Sequence, residues 1–568
     1  MLLPHLFADL IQQATRTAQK KGDLPTFALP EVTVTRPRHT DQGDLSTALP
    51  LQIIRAVNEA RKEKGDSPLS PVQVGEMIAR RLPGHPALGR AEVAKPGFIN
   101  LRLHSGWVAA QAGAIARQGA DYFRLDLGRG QRVQVEFVSA NPTGPLHFGS
   151  ARNAAIGDTL ARLHEHNGFQ VQREYYINDR GAQTDIFAET LWRRYQQLHG
   201  VAVEIPADGY PGAYMIDYAR RIQADHGAAL LALSDAEAIP RCRSLGLGLV
   251  TAELADDLAR MRVFFDHWFS EQSLYEDGTF DHVSALLRDQ EDLYVKDGAV
   301  WFRASKYLPK SDRDEVFIRA NGEPGYYASD IAYHYNKFIL RGFDRVIDVW
   351  AVDHQNQAAR MPAMLKALGI DPDRLAIPLY DLVTLRRGGV EVRLSKRSGD
   401  IITLREVVAE VGADAARFLL LSHSNEARID FDLDLAVAQN AENPVYYVQY
   451  AHARVASILR KAAAEGLELS DADTDLLAHP AELALLQKML ELPEVVSEAI
   501  ARLAPHALPH YALELARIFT KFYDACRVLS DDPADQALTQ ARLTLVQATK
   551  TCLAYVLDLI GVDAPQSM

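Results

Sequence analysis

The spacing of apolar residues predicts a helix at the start of the chain. Leu3, Phe7, Leu10 and Ala14 follow one another at intervals of three or four residues, which indicates an amphipathic helix. Polar residues interrupt this apolar stretch, so we expect a helix of the mature fold rather than a signal peptide. Further helices mixed with short strands follow, which predicts an α+β N-terminal domain over residues 1–110.

Strands and helices alternate after a Gly-Arg-Gly linker at residues 128–130. Residues 132–139 alternate in polarity like a strand, a helix is predicted from about residue 150, and residues 169–177 predict a second strand. This order is typical of a Rossmann-like parallel sheet, which we assign to a catalytic domain over residues 128–425 with a helical insertion at about 185–300. Residues 426–568 have apolar positions at helical spacing throughout and predict an all-α domain.

Length and composition narrow the class of protein. A chain of 568 residues exceeds what one core supports, so about three or four domains are expected. No apolar run approaches the roughly 20 residues of a membrane span, and we expect no membrane partner. The net charge of -13 argues against a general nucleic-acid binder but not against a local basic surface. Cys242, Cys526 and Cys552 are far apart in sequence, which predicts neither disulfides nor a structural metal site and fits the cytoplasm.

A first chemical site is predicted between the strand at 132–139 and the following helix. The break Asn141-Pro142-Thr143-Gly144-Pro145 suits no regular element, and His147 and Gly149 precede the helix. In parallel sheets ligands collect at such a loop, because free N–H groups and the helix dipole favour phosphate. Gly149 would let a nucleotide approach the backbone, and His147 could donate to an oxygen that gains charge. By themselves the two residues also fit an ordinary surface turn.

A second site is predicted in the basic run at residues 388–399, which contains Lys396 and is flanked by glycines. A capping box, Thr403 with Glu406 three residues later, opens the next helix. A basic loop anchored to a capped helix suits closure over a triphosphate, although a solvated loop has the same composition. The chain has no GxxxxGK[ST] sequence and is therefore not a P-loop enzyme.

Two further groups of residues could hold a cation and a ribose. Tyr326 and Asp330 are four residues apart and would share a helix face, where a phenol and a carboxylate could enclose a guanidinium. Asp353 and His354 follow a strand-like stretch, where a carboxylate at a strand end suits ribose hydroxyls and plain structural polar contacts fit equally well. Asp330 also fits a helix cap or a surface acid, and Tyr326 a packing residue.

An aromatic and basic face is predicted in the helical C-terminal region. Asn443-Pro444 forms a good helix start, and Tyr447, Tyr450 and Arg454 then recur at spacings of three and four. Such a face suits stacking against unpaired RNA bases, and core packing of the tyrosines explains the spacing equally well.

Longer stretches around these residues resemble arginyl-tRNA synthetases. The sequences EFVSANPTGPLHFGSARNAAIGD and EYYINDRGAQ are similar to the HIGH region of that family, and Arg393-Leu394-Ser395-Lys396 resembles the KMSK signature of class I synthetases. NPVYYVQYAHAR resembles the family's anticodon-binding bundle, and HTDQGDLSTALPL its N-terminal domain, which implies a contact with the tRNA elbow. The resemblance covers nearly the whole chain and is weakest in the insertion. Ser150 replaces the second histidine of HIGH, and Arg393 the first lysine of KMSK.

The resemblance implies an enzyme that activates arginine with ATP and Mg²⁺ and esterifies it to its cognate tRNA, acting as a monomer. A class I synthetase for another amino acid, another class I nucleotidyl-transferring enzyme, and a catalytically silent tRNA-binding paralogue remain the alternatives. The last is made conceivable by Ser150 and Arg393. The implied roles are catalysis by His147 and Lys396; ATP binding by His147, Gly149, Ser150, Asp353, Arg393, Leu394, Ser395 and Lys396; arginine binding by Glu136, Ser139, Asn141, Tyr326, Asp330 and His354; and tRNA binding by Tyr447, Tyr450 and Arg454.

Overall fold

The computed structural model describes residues 2–37, 39, 42–308, 313–392, 402–467 and 472–568. Arg393, Leu394, Ser395 and Lys396 lie outside these described residues, so their roles stay predictions. Within the described ranges, no helix combines the length and apolar character needed to cross a membrane.

The first region packs helices against a small antiparallel sheet in which β3 lies between β1 and β2. Phe7, Ile11 and Ala14 of the first helix are fully buried, which confirms the predicted amphipathic helix. The elements are α1 (Leu3–Lys20), β1 (Leu45–Thr47), α2 (Leu49–Glu63), α3 (Pro71–Ala79), β2 (Leu88–Ala94), β3 (Phe98–Leu103) and the connecting helix α4 (Ser105–Gln118).

Alternating strands and helices make up the second region. In chain order they are β4 (Arg132–Glu136), α5 (Gly149–Glu165), β5 (Gln170–Ile177), α6 (Ala182–Leu198), α7 (Ala213–His226), α8 (Asp235–Arg260), β6 (His267–Ser270), α9 (Ser273–Glu276), α10 (Thr279–Asp289), β7 (Leu293–Lys296), β8 (Ala299–Phe302), β9 (Glu315–Ile318), α11 (Tyr326–Tyr335), β10 (Arg345–Asp348), β11 (Trp350–Ala351), α12 (Gln355–Ala358), α13 (Met361–Ala367), β12 (Leu375–Ala376), β13 (Leu379–Tyr380), β14 (Val383–Arg387), β15 (Val390–Glu391), α14 (Leu404–Leu421) and β16 (Ile429–Asp432).

The centre of this region is a five-stranded sheet with the order β12-β10-β4-β5-β6. Each neighbouring pair is parallel. From β4 the chain moves outward through β5 and β6, and it later returns to the opposite side of β4 for β10 and β12. This arrangement confirms the predicted Rossmann-like sheet.

Four short strands depart from the predicted helical stretches. The insertion predicted at about 185–300 contains α6, α7 and α8, but it also contains β6, which pairs with β5 in the central sheet, and the hairpin of β7 and β8. Likewise β16 lies inside the region predicted as all-α and pairs with β14. Strands of four residues are too short to give a clear alternating pattern, which is why they were not predicted.

The C-terminal region is a bundle of helices, as predicted. Asn443 caps its longest early helix by accepting a hydrogen bond from the Val445 amide at 3.3 Å, and Pro444 occupies the first turn. Arg36 of the N-terminal region contacts the bundle through a two-pronged hydrogen bond to Glu494, at 2.7 and 2.8 Å. The helices are α15 (Leu433–Val437), α16 (Pro444–Ala464), α17 (Pro480–Leu490), α18 (Leu492–Arg502), α19 (Ala507–Ala525) and α20 (Gln536–Leu559).

One buried arginine joins three parts of the chain. Arg417 of α14 has no exposed surface. Its guanidinium donates to the Asp158 carboxylate of α5 at 2.6 Å, to the Met261 carbonyl at 2.9 Å and to the Ile560 carbonyl at 2.7 Å. The end of the C-terminal bundle is therefore fixed to the helix that follows the first predicted site.

Candidate functional site

The central sheet changes its direction of winding between β4 and β10, and the carboxyl ends of these strands face the same crevice. In open parallel sheets ligands bind at this position. The register pairs Glu136, at the end of β4, with Glu174 on one side and Asp348 on the other. Three carboxylates thus lie side by side on three neighbouring strands near the expected ligand site.

The chain leaves β4 in an unusual backbone conformation. Val138 and Ser139 have positive φ angles of 67° and 42°. This region is unfavourable for a β-branched residue and is often found at functional sites. Asn153 of α5 holds the turn, since it accepts from the Val138 amide at 2.8 Å and donates to the Val349 carbonyl at 3.0 Å. The turn directs the Ser139 hydroxyl to Glu136 Oε1, at 3.0 Å.

His147 lies immediately before α5 and is partly buried. Its Nδ1 accepts a hydrogen bond from the Gly149 amide at 2.9 Å, so the hydrogen of the neutral ring is on Nε2, which can donate. The Ser150 amide donates to the His147 carbonyl at 2.9 Å. Gly149 is the first residue of the helix, and a side chain there would meet the imidazole, because a Cβ would lie 3.0 Å from Nδ1.

The chain that follows the second predicted site lies beside His147. The Leu404 amide donates to the Leu146 carbonyl at 2.8 Å, and the Phe148 amide to the Ile402 carbonyl at 3.3 Å. Thr403 caps α14, with Glu406 completing the predicted capping box. Ile402 and Leu404, which follow Lys396 in the sequence, are therefore hydrogen-bonded to the His147 loop.

Carboxylates surround the Tyr176 phenol of β5 and form what we call the acidic pocket, defined by Glu136, Asp330, Glu271 and Tyr176. Burial, reinforced by the three acids, raises the pKa of Tyr176. Burial also raises the pKa of Asp330 to about 6, against the opposing effects of His334 and of the amide of Gln357. Asp330 of α11 thus changes charge close to neutral pH, unlike an ordinary aspartate.

Tyr326 and Asp330 lie one turn apart on α11, as predicted, but in different surroundings. Tyr326 is 76% exposed, and the Arg319 guanidinium lies 5.3 Å from its ring centre. Tyr326 borders a cleft of about 410 Å³ together with Asp353 and His354. Gln357 also lines this cleft and hydrogen-bonds to Asp330, which links the cleft to the acidic pocket.

Asn141 and His354 occupy more exposed positions at the border of the site. The Asn141 amide donates to Gln183 at 2.8 Å, which joins the loop after β4 to the start of α6. His354 ends a 3-10 turn, and its Nδ1 lies 3.3 Å from the Gln357 oxygen. Asn141 and His354 thus contact other residues at the border of the site. Among the hydrogen bonds of the described residues, neither side chain directly contacts Glu136 or Asp330.

The sequence prediction missed Lys337, Asp348 and His334, which contact one another beside Glu136. Lys337 has no exposed surface, and its ammonium lies 2.6 Å from Glu136 Oε2 and 2.8 Å from Asp348 Oδ1. A lysine in a sequence is usually a surface residue, so its type gave no signal. The apolar residues that begin at Phe338 were the one sequence feature that indicated burial of Lys337.

The predicted aromatic and basic face lies on α16 and α19 of the C-terminal bundle. We call Tyr446, Tyr450, Arg454 and Tyr523 the tyrosine face. Arg454 lies 4.9 Å from the Tyr450 ring centre and 5.1 Å from that of Tyr523, and Tyr446 stacks near Tyr450. A cavity of about 760 Å³ is lined by Tyr450, Arg454 and Tyr523. Tyr447 is instead directed towards α19, where its hydroxyl hydrogen-bonds to Thr520 at 3.1 Å.

Family models match the chain along nearly its entire length. The model described as tRNA synthetases class I (R), catalytic domain, matches residues 114–455. Models described as the arginyl tRNA synthetase N terminal domain and the DALR anticodon binding domain match residues 5–103 and 448–568. The fold and these matches define a class I aminoacyl-tRNA synthetase.

Individual relatives agree with this class. The arginine–tRNA ligase of Dehalococcoides mccartyi (strain CBDB1) is 43% identical over 568 residues, covering 100% of this chain and 99% of the relative. That of Carboxydothermus hydrogenoformans is 43% identical over 570 residues and is covered completely in both chains. The solved structure of a putative arginyl-tRNA synthetase from Campylobacter jejuni is 29% identical, with a TM-score of 0.74 over 82% of this chain and 100% of that one. The chain belongs to the arginyl-tRNA synthetase family.

Proposed function

We propose that the chain is an arginine–tRNA ligase that works in two steps. The arginine carboxylate attacks the α-phosphate of ATP, which forms arginyl-adenylate and releases pyrophosphate. The 2′-hydroxyl of the terminal tRNA adenosine then takes the arginyl group and releases AMP. No nucleophilic side chain is needed, because positioning and charge stabilisation suffice.

The observation that carries the proposal is the acidic pocket at the switch point of the sheet. A guanidinium is planar and permanently charged, and carboxylates accept its fork of N–H donors. Asp330 has a neutral amide, Gln357, as its side-chain partner in the hydrogen bonds of the described residues. A bound arginine would supply the missing cation, with Glu136, Ser139, Asn141, Tyr326 and His354 as the other proposed ligands.

ATP is the second substrate, and we propose that it enters as its magnesium complex. His147, whose Nδ1 accepts from the Gly149 amide, and the amino end of α5 at Gly149 and Ser150 suit phosphate oxygens. Asp353 suits the ribose. Arg393, Leu394, Ser395 and Lys396 complete the proposed ATP site, with Lys396 neutralising the charge on the leaving pyrophosphate.

tRNA binding is proposed on two domains. The tyrosine face, with Tyr447 beside it, offers exposed rings and a guanidinium for stacking against anticodon bases. The N-terminal region, over residues 1–110, is proposed to contact the tRNA elbow. We further propose the catalytic domain over 128–425, the anticodon-binding domain over 426–568, and action as a monomer in the cytoplasm.

ATP–pyrophosphate exchange with each amino acid, with and without tRNA, tests the function. Arginine should support exchange, and other amino acids should not. Absence of exchange under every condition would favour a silent tRNA-binding paralogue, which Ser150 and Arg393 make the second candidate. Exchange with lysine or glutamate instead would contradict the assignment of the acidic pocket.

A further inference from the structure

Glu136 lies in an unusually acidic row of residues. Glu174, Glu136 and Asp348 are directly paired in register, and paired residues of parallel strands point to the same side of the sheet. Adjacent strands are about 4.8 Å apart, so three like charges at this spacing would repel one another strongly. Cations must compensate for them if Glu136 is to stay ionised.

Helix α11 and the π-helical turn that follows it, Asn336–Leu340, supply these cations. Arg341 pairs with Glu174, and Lys337 with both Glu136 and Asp348. A fully buried lysine is tolerated only where acids and hydrogen bonds compensate for lost hydration. Although burial opposes it, Asp348 and Glu136 raise the pKa of Lys337, so its ammonium is a permanent part of the site.

His334 contacts the second carboxylate oxygen of Asp348. Its Nε2 lies 2.9 Å from Asp348 Oδ2, and its Nδ1 lies 2.8 Å from the Asp330 carbonyl oxygen. Both ring nitrogens therefore lie beside oxygen atoms, and His334 links Asp348 of the central sheet to the Asp330 backbone of α11.

The contacts of Glu136 show what Lys337 does for the pocket. Its Oε2 is held by Lys337 and its Oε1 by Ser139, so both oxygens are fixed. Each carboxylate oxygen can accept two hydrogen bonds, which leaves capacity for donors of a substrate. Burial raises the pKa of Glu136, and Asp348 adds to this, whereas Lys337 opposes both effects.

We propose that Lys337 is a positioning residue for arginine, which keeps Glu136 ionised and oriented as an acceptor for the guanidinium. Lys337 itself does not contact the substrate and acts through Glu136. The proposal rests on the proposed function, and it adds a cation of the enzyme to the machinery that recognises a cationic substrate.

Other charged and titratable groups also face Glu136. They are Asp348 from β10, Glu174 from β5, Tyr176 from β5, and Asp330 and Tyr333 from α11. All five of these groups are acids or phenols, whereas Lys337 is a cation. Loss of the ammonium therefore leaves Glu136 among groups that favour its protonated form.

The test compares Lys337→Met and Lys337→Gln with the matched control Arg341→Met. Arg341 is one turn from Lys337 and pairs with Glu174 rather than Glu136. The arginine KM and kcat are measured by pyrophosphate exchange from pH 6.5 to 8.5 at saturating ATP and tRNA. In both neutral variants of Lys337 we expect the arginine KM to be about tenfold higher at pH 6.5 than at pH 8.5, relative to wild type, with a much smaller change in kcat. Lys337→Arg keeps a cation and should restore a flat profile.

Two results would overturn the proposal. One is an arginine KM in both neutral variants that changes equally at all pH values. The other is an equally large pH dependence in Arg341→Met, because Arg341 compensates Glu174 and acts on Glu136 only indirectly, so that a much smaller effect is expected there. Circular dichroism establishes which variants fold, and Lys337→Gln, which retains hydrogen-bond donors, serves if Lys337→Met does not. Failure of wild type to use arginine would instead refute the proposed function, so the two failures are distinguishable.

Discussion

The acidic pocket and the tyrosine face, which we propose to bind arginine and tRNA respectively, differ in burial and charge. In the acidic pocket Glu136 is buried, Asp330 and Glu271 are half-buried, and Glu136 is fixed by Ser139 and Lys337 before any ligand arrives. On the tyrosine face, Tyr450 is 42% exposed and the aromatic rings are open to solvent. A small permanent cation is selected by preorganised acceptors, whereas unpaired bases need broad exposed rings that tolerate different sequences. The comparison predicts that damage to one region leaves binding at the other unchanged.

Asp330→Asn should produce the largest separation between the two regions. The substitution keeps the shape of the side chain but removes the charge facing the guanidinium, which costs about 3 kcal/mol and raises the arginine KM about 100-fold. Initial rates of aminoacylation at varied arginine and varied tRNA measure both constants. The tRNA KM should stay within about twofold of wild type; a parallel rise in both constants would show that the regions are not independent.

Tyr450→Ala should give the converse result with a smaller magnitude. Loss of one stacked base costs about 2 kcal/mol, which corresponds to about a 30-fold higher tRNA KM. The arginine KM in the same assay should not change. Tyr447→Phe is the matched control, because it removes only the hydroxyl that contacts Thr520. An equal effect of both substitutions would argue for a loss of helix packing instead of a lost RNA contact.

The pH dependence of arginine binding should be the smallest of the three effects. The pKa of Asp330 is raised to about 6, so the residue is ionised above pH 6 and loses its charge as the pH falls through this value. Arginine remains a cation throughout, and its dissociation constant should rise about tenfold from pH 7 to pH 5. Titration calorimetry measures this constant directly. Asp330→Asn should show no such rise, and a persistent rise would assign the titration to another group.

How much of each region the sequence predicts follows from how local its contacts are. Tyr450 and Arg454 are four residues apart on one helix, so their contact could be predicted from spacing alone. The pairing of Glu136 with Asp348 depends instead on the register of strands separated by the whole insertion. Lys337 acquires its role only when that register brings the two acids together. The parallel sheet was predictable from the order of its elements, but the short strand β6 was not.

The close packing around Arg417 leaves no room for a side chain at position 561. Gly561 follows the Ile560 carbonyl that holds this arginine, and a Cβ at Gly561 would lie 2.5 Å from the guanidinium carbon. A side chain there would displace the guanidinium from Asp158 and release α5, the helix that follows the His147 loop. A substitution at Gly561 would thus weaken the proposed ATP binding, although no residue near the C-terminus is proposed to contact the nucleotide.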